Sequence, residues 1–174
     1  RKTERRAYDR SSGPFFVGNM NIEALRRAAE EAVTSLNLFI LDLKERPGNA
    51  FAIFVDGEDF VTLEKLSRLN KLIEAAFDRD MEDFSLEVSS PGATTPLTDR
   101  RQLPKHLGAP MKLLMNDGKK VKGELSALNE EGLTLRWKER VPKEIGKGKQ
   151  TIEREEFFAF SQVKEAKRTV NFNR

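Results

Sequence analysis

Cysteine is absent from the 174-residue chain, and histidine, tryptophan and tyrosine each occur once. Without cysteine there are no disulfides, thiolate metal sites or cysteine nucleophiles. The single imidazole, His106, leaves little for acid–base catalysis, and no Gly-x-x-x-x-Gly-Lys phosphate loop follows any predicted strand. The sequence therefore argues against a hydrolase or a nucleotidase, and it predicts a protein that is not an enzyme and holds no cofactor and no metal.

Long hydrophobic runs are also missing. The longest, residues 38–41 and 50–55, fall far short of the roughly 20 residues that cross a bilayer, and no signal-peptide core is present. A length of 174 residues suits one or two domains with modest cores. These observations predict a soluble cytoplasmic protein with no membrane partner.

Charge is divided unevenly along the chain. Residues 1–19 carry five basic and two acidic groups, residues 20–92 carry eight and fifteen, and residues 93–174 carry eighteen and eleven. An acidic domain followed by a basic one predicts a basic protein partner for the first and a polyphosphate partner for the second. The alternative is solvated surface charge without any partner.

The leader over residues 1–19 begins without Met, is rich in Arg and Ser, and shows no periodicity. It is interpreted as a disordered leader or as added, non-native sequence, with Met20 as the expected start of the fold. A transit peptide or an arm that contacts nucleic acid are the alternatives.

Hydrophobic spacing divides residues 20–92 into two helices and three strands. Apolar residues recur at three- and four-residue intervals after Asn21 and Thr62, which predicts two capped helices, the first ending near Leu36 and the second with an apolar stripe from Leu63 to Phe77. Strands are predicted at residues 38–43, 50–55 and 84–88, the first two as a hairpin. The order helix-strand-strand-helix-strand predicts a two-layer α/β domain, with a right-handed crossover and both helices on one sheet face.

Beyond Gly108 the helical spacing disappears. Asn116-Asp117-Gly118 predicts a two-residue type I′ turn, residues 129–132 a second reversal, and Gly123 a bend within a long strand. Together these patterns predict an SH3-like or Sm-like small β-barrel over residues 109–174, after a proline-containing linker over residues 93–108. The five predicted strands are residues 111–115, 119–128, 133–137, 151–157 and 164–172, with a short turn at 160–163 before the last.

Between the two domains, an alternating strand stops at a Ser-Ser-Pro-Gly sequence. Prolines on both sides of Gly92 restrict the backbone, so a stiff connector is predicted. The run from Leu86 to Gly92, followed by Pro96-Leu97, resembles the hallmark of the ribosome maturation factor RimP family. Where that family usually carries Leu-Asp-Arg, this chain has Ala93-Thr94-Thr95. The residues of this interdomain motif are Ser89, Ser90, Pro91, Gly92, Pro96 and Leu97.

The resemblance continues through residues 111–114, 121–125, 132–135 and 160–166, and so covers nearly everything from Met20 onward. It implies a bacterial, non-enzymatic factor that binds the immature small ribosomal subunit and assists its maturation. It also implies that ribosomal RNA and the twelfth small-subunit ribosomal protein are partners, and a monomer is expected. The alternative is an Sm-like or KH-like RNA-binding regulator not dedicated to the ribosome, although the Gly-x-x-Gly clamp of KH modules is missing.

Basic residues of the second domain form the sharpest site hypothesis. They lie on both sides of one predicted hairpin and are concentrated in one predicted loop. There they would neutralise the phosphates of a nucleic acid and would recognise little of its base sequence. A mobile solvated loop is the alternative, favoured by Gly146, Gly148 and the interleaved Glu139 and Glu144. The predicted RNA or ribosome contacts are Arg100, Arg101, Lys119, Lys120, Lys122, Lys138, Arg140, Lys143, Lys147 and Lys149.

The single histidine, one acidic cluster and the aromatic residues of the second domain are expected to have structural roles. His106 is expected at the surface or half-buried. The acidic group at residues 56, 58 and 59 is interpreted as turn and helix-entry residues, because it lacks the twelve-residue loop of a calcium site. Trp137 could stack on a base, but packing in the core or at its rim is the favoured interpretation, and core positions are predicted for Phe157, Phe158 and Phe160.

Overall fold

A computed structural model describes residues 20–77, 80 and 83–170; the predicted leader lies outside this range, as does the end of the last predicted strand. The chain divides into two compact units. Among described residues, the first unit runs to Phe54 and resumes over Thr62–Ser89, and the second comprises Val55–Val61 and everything from Ser90 onward. The mixture of helices and strands confirms the predicted α+β class. The domain limits near residues 92 and 109 stay predictions.

The five elements of the first half follow the predicted order. Both helices contact each other, one packs on the first strand and the other on the third. The buried side chains of these helices and strands include Leu25 of the first helix, Phe51 of the second strand and Ile73 of the second helix. The elements are α1 (Ile22–Ser35), β1 (Leu38–Arg46), β2 (Ala50–Gly57), α2 (Leu63–Glu74) and β3 (Ser85–Ser89).

Side-chain caps begin both helices where the sequence predicts them. The Asn21 carboxamide oxygen accepts hydrogen bonds from the backbone N–H groups of Glu23 and Ala24, at 3.1 and 2.8 Å. Thr62 Oγ1 accepts from the N–H of Lys65 at 3.2 Å. The second helix ends at Glu74; Phe77, the last residue of the predicted apolar stripe, is buried beyond that end, whereas Leu63, its first residue, is 84% exposed.

The first sheet has the strand order β1-β2-β3. The predicted hairpin joins β1 to β2 through a turn in which Gly48 and Asn49 have positive φ angles of 83° and 54°. Strand β3 then pairs in parallel with β2, with Phe51 opposite Leu86 and Ile53 opposite Val88. The hand of the β2-to-β3 crossover stays a prediction.

The second half is built on an antiparallel sheet with the order β7-β6-β5-β4-β8. Among the described residues this sheet is not closed, because β7 and β8 are its two edges. Short 3₁₀ turns lie at Arg100–Gln102, Pro104–His106 and Phe160–Gln162. The strands are β4 (Pro110–Met115), β5 (Lys120–Leu128), β6 (Gly132–Pro142), β7 (Lys149–Ala159) and β8 (Val163–Arg168).

Strands β6 and β7 are much longer than predicted. They pair without interruption from Gly132–Ala159 to Pro142–Lys149, whereas β6 pairs with β5 only as far as Arg136. Residues 138–142 and 149–153 therefore form a two-stranded ribbon beyond the rest of the sheet, which we call the β6–β7 arm. The predicted basic loop is wrong in its extent, since only residues 143–148 connect the strands.

The predicted type I′ turn between β4 and β5 is wrong. Within the Asn116-Asp117-Gly118 turn only Gly118 has a positive φ, and its N–H donates to the Met115 carbonyl at 3.0 Å. This is a three-residue loop ending in a left-handed glycine, because a type I′ turn needs two positive φ angles. The pairing register of β5 with β6 shifts between Leu125 and Ala127. At Gly123 a Cβ atom would come within 2.9 Å of the Arg136 carbonyl oxygen, so the close approach of the two strands there favours glycine.

One face of the second sheet supplies the core. Met111, Leu113, Leu125 and Leu135 are completely buried, and Phe158 is nearly so. Other side chains pack against this core while partly buried, among them Trp137 and Phe160, which confirms a rim position for the tryptophan.

Phe157 departs from its predicted core position. Its side chain is 45% exposed, because β7 directs Phe157 and Phe158 to opposite faces. The ring passes close to Gly132, where a Cβ would be 2.6 Å from Phe157 Cζ. Among the described residues no helix is long and apolar enough to cross a membrane.

Candidate nucleic-acid interface

The β6–β7 arm and its connecting loop hold five of the predicted contact residues. Lys138 and Arg140 lie on β6, and Lys149 begins β7 opposite Pro142. Strand alternation places these side chains on one face of the arm, since cross-strand partners share a face. All three are exposed. The structure therefore spreads these charges along a ribbon of fixed register.

Lys143 and Lys147 lie in the connecting loop. The Lys143 N–H donates to the Gly148 carbonyl at 3.1 Å, and Gly146 and Gly148 have positive φ angles of 89° and 110°. Glycine adopts such angles at no steric cost, which explains the two glycines in a tight loop. The two lysines are exposed at the tip of the arm.

Acidic residues interleave with the arm, and one of them, Glu153, lies directly opposite Lys138 on the same face. Arg154 Nε donates to Glu139 Oε2 at 2.9 Å, so both of these opposite charges are engaged. Among the described residues, no ion pair is made by the arm's five predicted contact residues. Among the described residues, the arm therefore has cations without an acidic partner at its tip and, on one face, at Arg140 and Lys149, and such cations are what phosphate contact requires.

The lysines of the β4–β5 hairpin divide between two positions. Lys120 and Lys122 share the outer face of β5. Lys119 lies in the turn, where its N–H donates to Asp117 Oδ1 at 2.8 Å. Only the first two therefore belong to a regular charged surface.

The arginines after the motif are each engaged locally. Arg101 donates to Asp99 at 2.6 Å, a side-chain hydrogen bond that lowers the pKa of Asp99 and raises the pKa of Arg101. The Arg100 guanidinium lies 4.4 Å from the Phe160 ring centroid. Because Arg100 and Arg101 already contact neighbouring side chains of the same chain, these two arginines are weaker candidates for RNA contact than the residues of the arm.

The motif residues lie at the end of β3 and beyond it. Ser89 is the last residue of β3. The Thr95 N–H donates to the Gly92 carbonyl at 3.0 Å, and the Leu97 N–H donates to the Ala166 carbonyl of β8 at 2.8 Å. Pro96 stands between these two bonds, so the connector is closed as a turn and then fastened to the second sheet.

A buried ion pair lies close to the motif. The Asp56 carboxylate accepts hydrogen bonds from Lys105 Nζ and, at 2.7 Å, from Gln102 Nε2. The carboxamide oxygen of Gln102 accepts in turn from the N–H groups of Thr98 and Asp99, at 2.9 and 3.0 Å. The interpretation of Asp56 as an ordinary turn residue is therefore wrong, whereas Glu58 and Asp59 are exposed as turn residues are.

His106 is buried, with 5% of its surface exposed, and the predicted surface or half-buried position is wrong. Its Nδ1 atom has no hydrogen-bond partner among the described residues. Burial and the charges of Lys105 and Arg168 lower the pKa of His106, against an opposing effect of Asp56. Burial therefore favours the neutral form of the imidazole, which lies beside a small cavity of about 150 Å³ that Pro91 also lines.

Two features of the second unit were not predicted from the sequence. The Asp56–Lys105 pair joins residues 49 apart in sequence, which no local pattern reveals. Lys112 and Lys167 lie on the outer face of β4 and β8. For Lys112 a signal was present, since it alternates with the buried Met111 and Leu113. Among the described residues, no cluster of histidine and carboxylate side chains is suited to a metal.

These features define a small α+β protein with a basic second unit and free cations on an extended β-ribbon. The family model of the RimP N-terminal domain matches residues 28–94. The ribosome maturation factor RimP of Christiangramia forsetii is 32% identical over 151 residues, which cover 86% of this chain and 98% of that protein. This chain belongs to the RimP family.

Other relatives agree with this assignment. The ribosome maturation factor RimP of Flavobacterium psychrophilum is 34% identical over 130 residues, covering 75% of this chain and 84% of that protein. The protein of the same name from Porphyromonas gingivalis is 28% identical over 148 residues, covering 85% and 97%. The similarity therefore extends well beyond the matched N-terminal domain.

Proposed function

We propose that this chain is a non-catalytic ribosome maturation factor that binds the immature small ribosomal subunit in the cytoplasm and assists its maturation. The observation that carries the proposal is the identity of 32% to a ribosome maturation factor over 98% of that protein's length. A role in maturation needs binding and positioning and no chemical step. The free cations of the β6–β7 arm give the second unit a means of contacting RNA.

The charge division supports a division of labour. Residues 93–174 have eighteen basic and eleven acidic groups, and we propose that they contact ribosomal RNA. Residues 20–92 have eight basic and fifteen acidic groups, and we propose that they contact a basic protein, the twelfth small-subunit ribosomal protein. The sign of the charge in each part supports the partner proposed for it.

The same proposal includes the domain architecture. We propose an N-terminal α/β domain over residues 20–92, a linker over 93–108 and an SH3-like barrel over 109–174. The register shift between β4 and β8 at Leu114–Met115, and the one in β5 at Leu125–Ala127, support strong curvature of the second sheet. Such curvature brings a five-stranded sheet towards a barrel.

Cosedimentation tests the proposed function. Immature small subunits, isolated from cells that lack their own factor, are mixed with the chain and centrifuged through sucrose gradients at about 50 and 200 mM salt. Comigration at the lower salt and release at the higher salt are expected, because phosphate contacts release counterions. Failure of the folded chain to comigrate at low salt contradicts the proposal, and mature subunits serve as the control.

A second candidate is a free-standing Sm-like RNA regulator. The two edge strands of the second sheet, β7 and β8, favour it, because edge strands can pair between copies in a ring. Light scattering separates the two functions. A monomer supports the maturation factor, and a hexamer or heptamer supports the ring.

A further inference from the structure

Three lysines stand side by side on the outer face of the second sheet. Lys112 of β4 lies directly opposite Lys122 of β5 on one side and directly opposite Lys167 of β8 on the other. Neighbouring strands are about 5 Å apart, so these side chains leave the sheet as a closely spaced line. We call these three residues the lysine row.

Like charges placed directly opposite each other destabilise a sheet, and elsewhere on this face the structure avoids them. Arg136 of β6 is opposite Glu124 of β5 and donates to it at 2.7 Å. In the row, by contrast, two lysine–lysine pairs adjoin each other.

Among the described residues, ion pairing within the row is confined to Lys167. Lys167 has an acidic partner on its own strand, Glu165, at 3.4 Å. Within the part of the chain that the structure describes, Lys112 and Lys122 have no acidic partner. The row therefore holds two uncompensated cations whose repulsion an external anion would relieve.

We propose that the lysine row is a binding site for the phosphate backbone of RNA. Its choice of RNA over other anions rests on the proposed function, since the immature small subunit is rich in RNA. A lysine ammonium is a compact charge on a flexible stem, which suits phosphate contact without base recognition. The rigid strands set the spacing of the charges, and the stems adapt to the path of the backbone.

The row is separate from the β6–β7 arm. Lys112 and Lys167 lie on β4 and β8, and β8 is the edge of the sheet farthest in strand order from β7. The site therefore adds a second line of phosphate contacts to those proposed for the arm, and it can be removed without changing the arm.

Fluorescence anisotropy with a labelled twelve-nucleotide oligouridylate tests the site. The full chain is compared with the double variant Lys112→Gln, Lys122→Gln at several salt concentrations. Each single-strand phosphate contact contributes about 0.7 to the slope of log affinity against log salt, so the double variant loses about 1.4. Between about 50 and 200 mM salt the wild type should therefore lose about sevenfold more affinity than the variant.

Two further variants separate the site from net charge and from misfolding. Arg68→Gln with Lys71→Gln removes the same charge from the exposed surface of α2, and it should keep the wild-type slope. Lys112→Arg with Lys122→Arg preserves the charge of the row and should also keep it. The glutamine variant of the row should unfold at no lower temperature than the wild type, because it relieves repulsion.

The outcomes distinguish this site from the proposed function. An unchanged slope in the folded glutamine variant overturns the lysine row. A reduced slope, together with no comigration of the wild type with immature subunits, supports the row and contradicts the proposed function. Weaker binding of the variant to poly-aspartate with unchanged oligouridylate binding would overturn the assignment to RNA.

Discussion

The ammonium group of Lys105 is paired with the carboxylate of Asp56, and the two side chains are only 8% and 6% exposed. Burying two charges is costly, and the cost is offset only where the geometry is good and further hydrogen bonds are made. Gln102 supplies one such bond to Asp56 at 2.7 Å. Removing one partner leaves the other as an uncompensated buried charge.

Asp56→Ala should therefore be strongly destabilising. Loss of one member of a buried pair costs about 3–5 kcal/mol, measured as the free energy of unfolding in urea. Asp59→Ala is the matched control, because Asp59 is an exposed aspartate three positions on, and it should change the free energy by less than about 0.5 kcal/mol. Equal effects of the two substitutions would contradict the buried pair.

His106 should make stability depend on pH near neutrality. Its pKa is lowered in the folded chain, chiefly by burial and then by Lys105 and Arg168. The unfolded state therefore binds the proton more readily, and the stabilisation present above the unfolded pKa of about 6.5 is lost as pH falls below it. The free energy of unfolding should decrease from about pH 7 to pH 5.

The variant His106→Gln removes this titrating group and keeps a polar side chain. Urea denaturation at several pH values should give a flatter profile for the variant over the same interval, whatever its absolute stability. A profile parallel to that of the wild type would mean that His106 is not held neutral.

The tip of the β6–β7 arm offers a further test. Lys143→Glu with Lys147→Glu should weaken cosedimentation with immature small subunits by about tenfold near 100 mM salt, because two attractive charges become repulsive. Both lysines are exposed and, among described residues, have no ion-pair partner, so stability should change by less than about 0.5 kcal/mol. Lys143→Arg with Lys147→Arg should bind as the wild type does. Unchanged binding of the glutamate variant would mean that the tip is not a contact.

The sequence predicted the elements whose signals are local. Asn21 and Thr62 cap helices at the predicted residues, and the first sheet follows from two short runs rich in Leu, Ile and Phe and one alternating run. The arm was missed because residues 138–142 carry no apolar alternation. Its pairing depends on backbone hydrogen bonds and on cross-strand pairs such as Arg154–Glu139, which hydrophobic patterns do not contain.

For the candidate site, the sequence predicted which residues are basic but not how the folded sheet arranges them. Basic residues after residue 93 were evident, but opposition of Lys112 to Lys122 and Lys167 depends on strand register, which only the folded sheet defines. Likewise, the sequence identified Arg101 as basic without revealing that Asp99 engages it. Strand register and local turn geometry together decide which cations have an acidic partner.

The most direct test of the account is protein-to-RNA crosslinking on purified immature small subunits, with the crosslinked residues mapped by mass spectrometry. The account predicts crosslinks to the β6–β7 arm and to the lysine row, with those of the row disappearing in the Lys112→Gln, Lys122→Gln variant. Crosslinks confined to residues 20–54 and 62–89, with none in the second sheet, would contradict it.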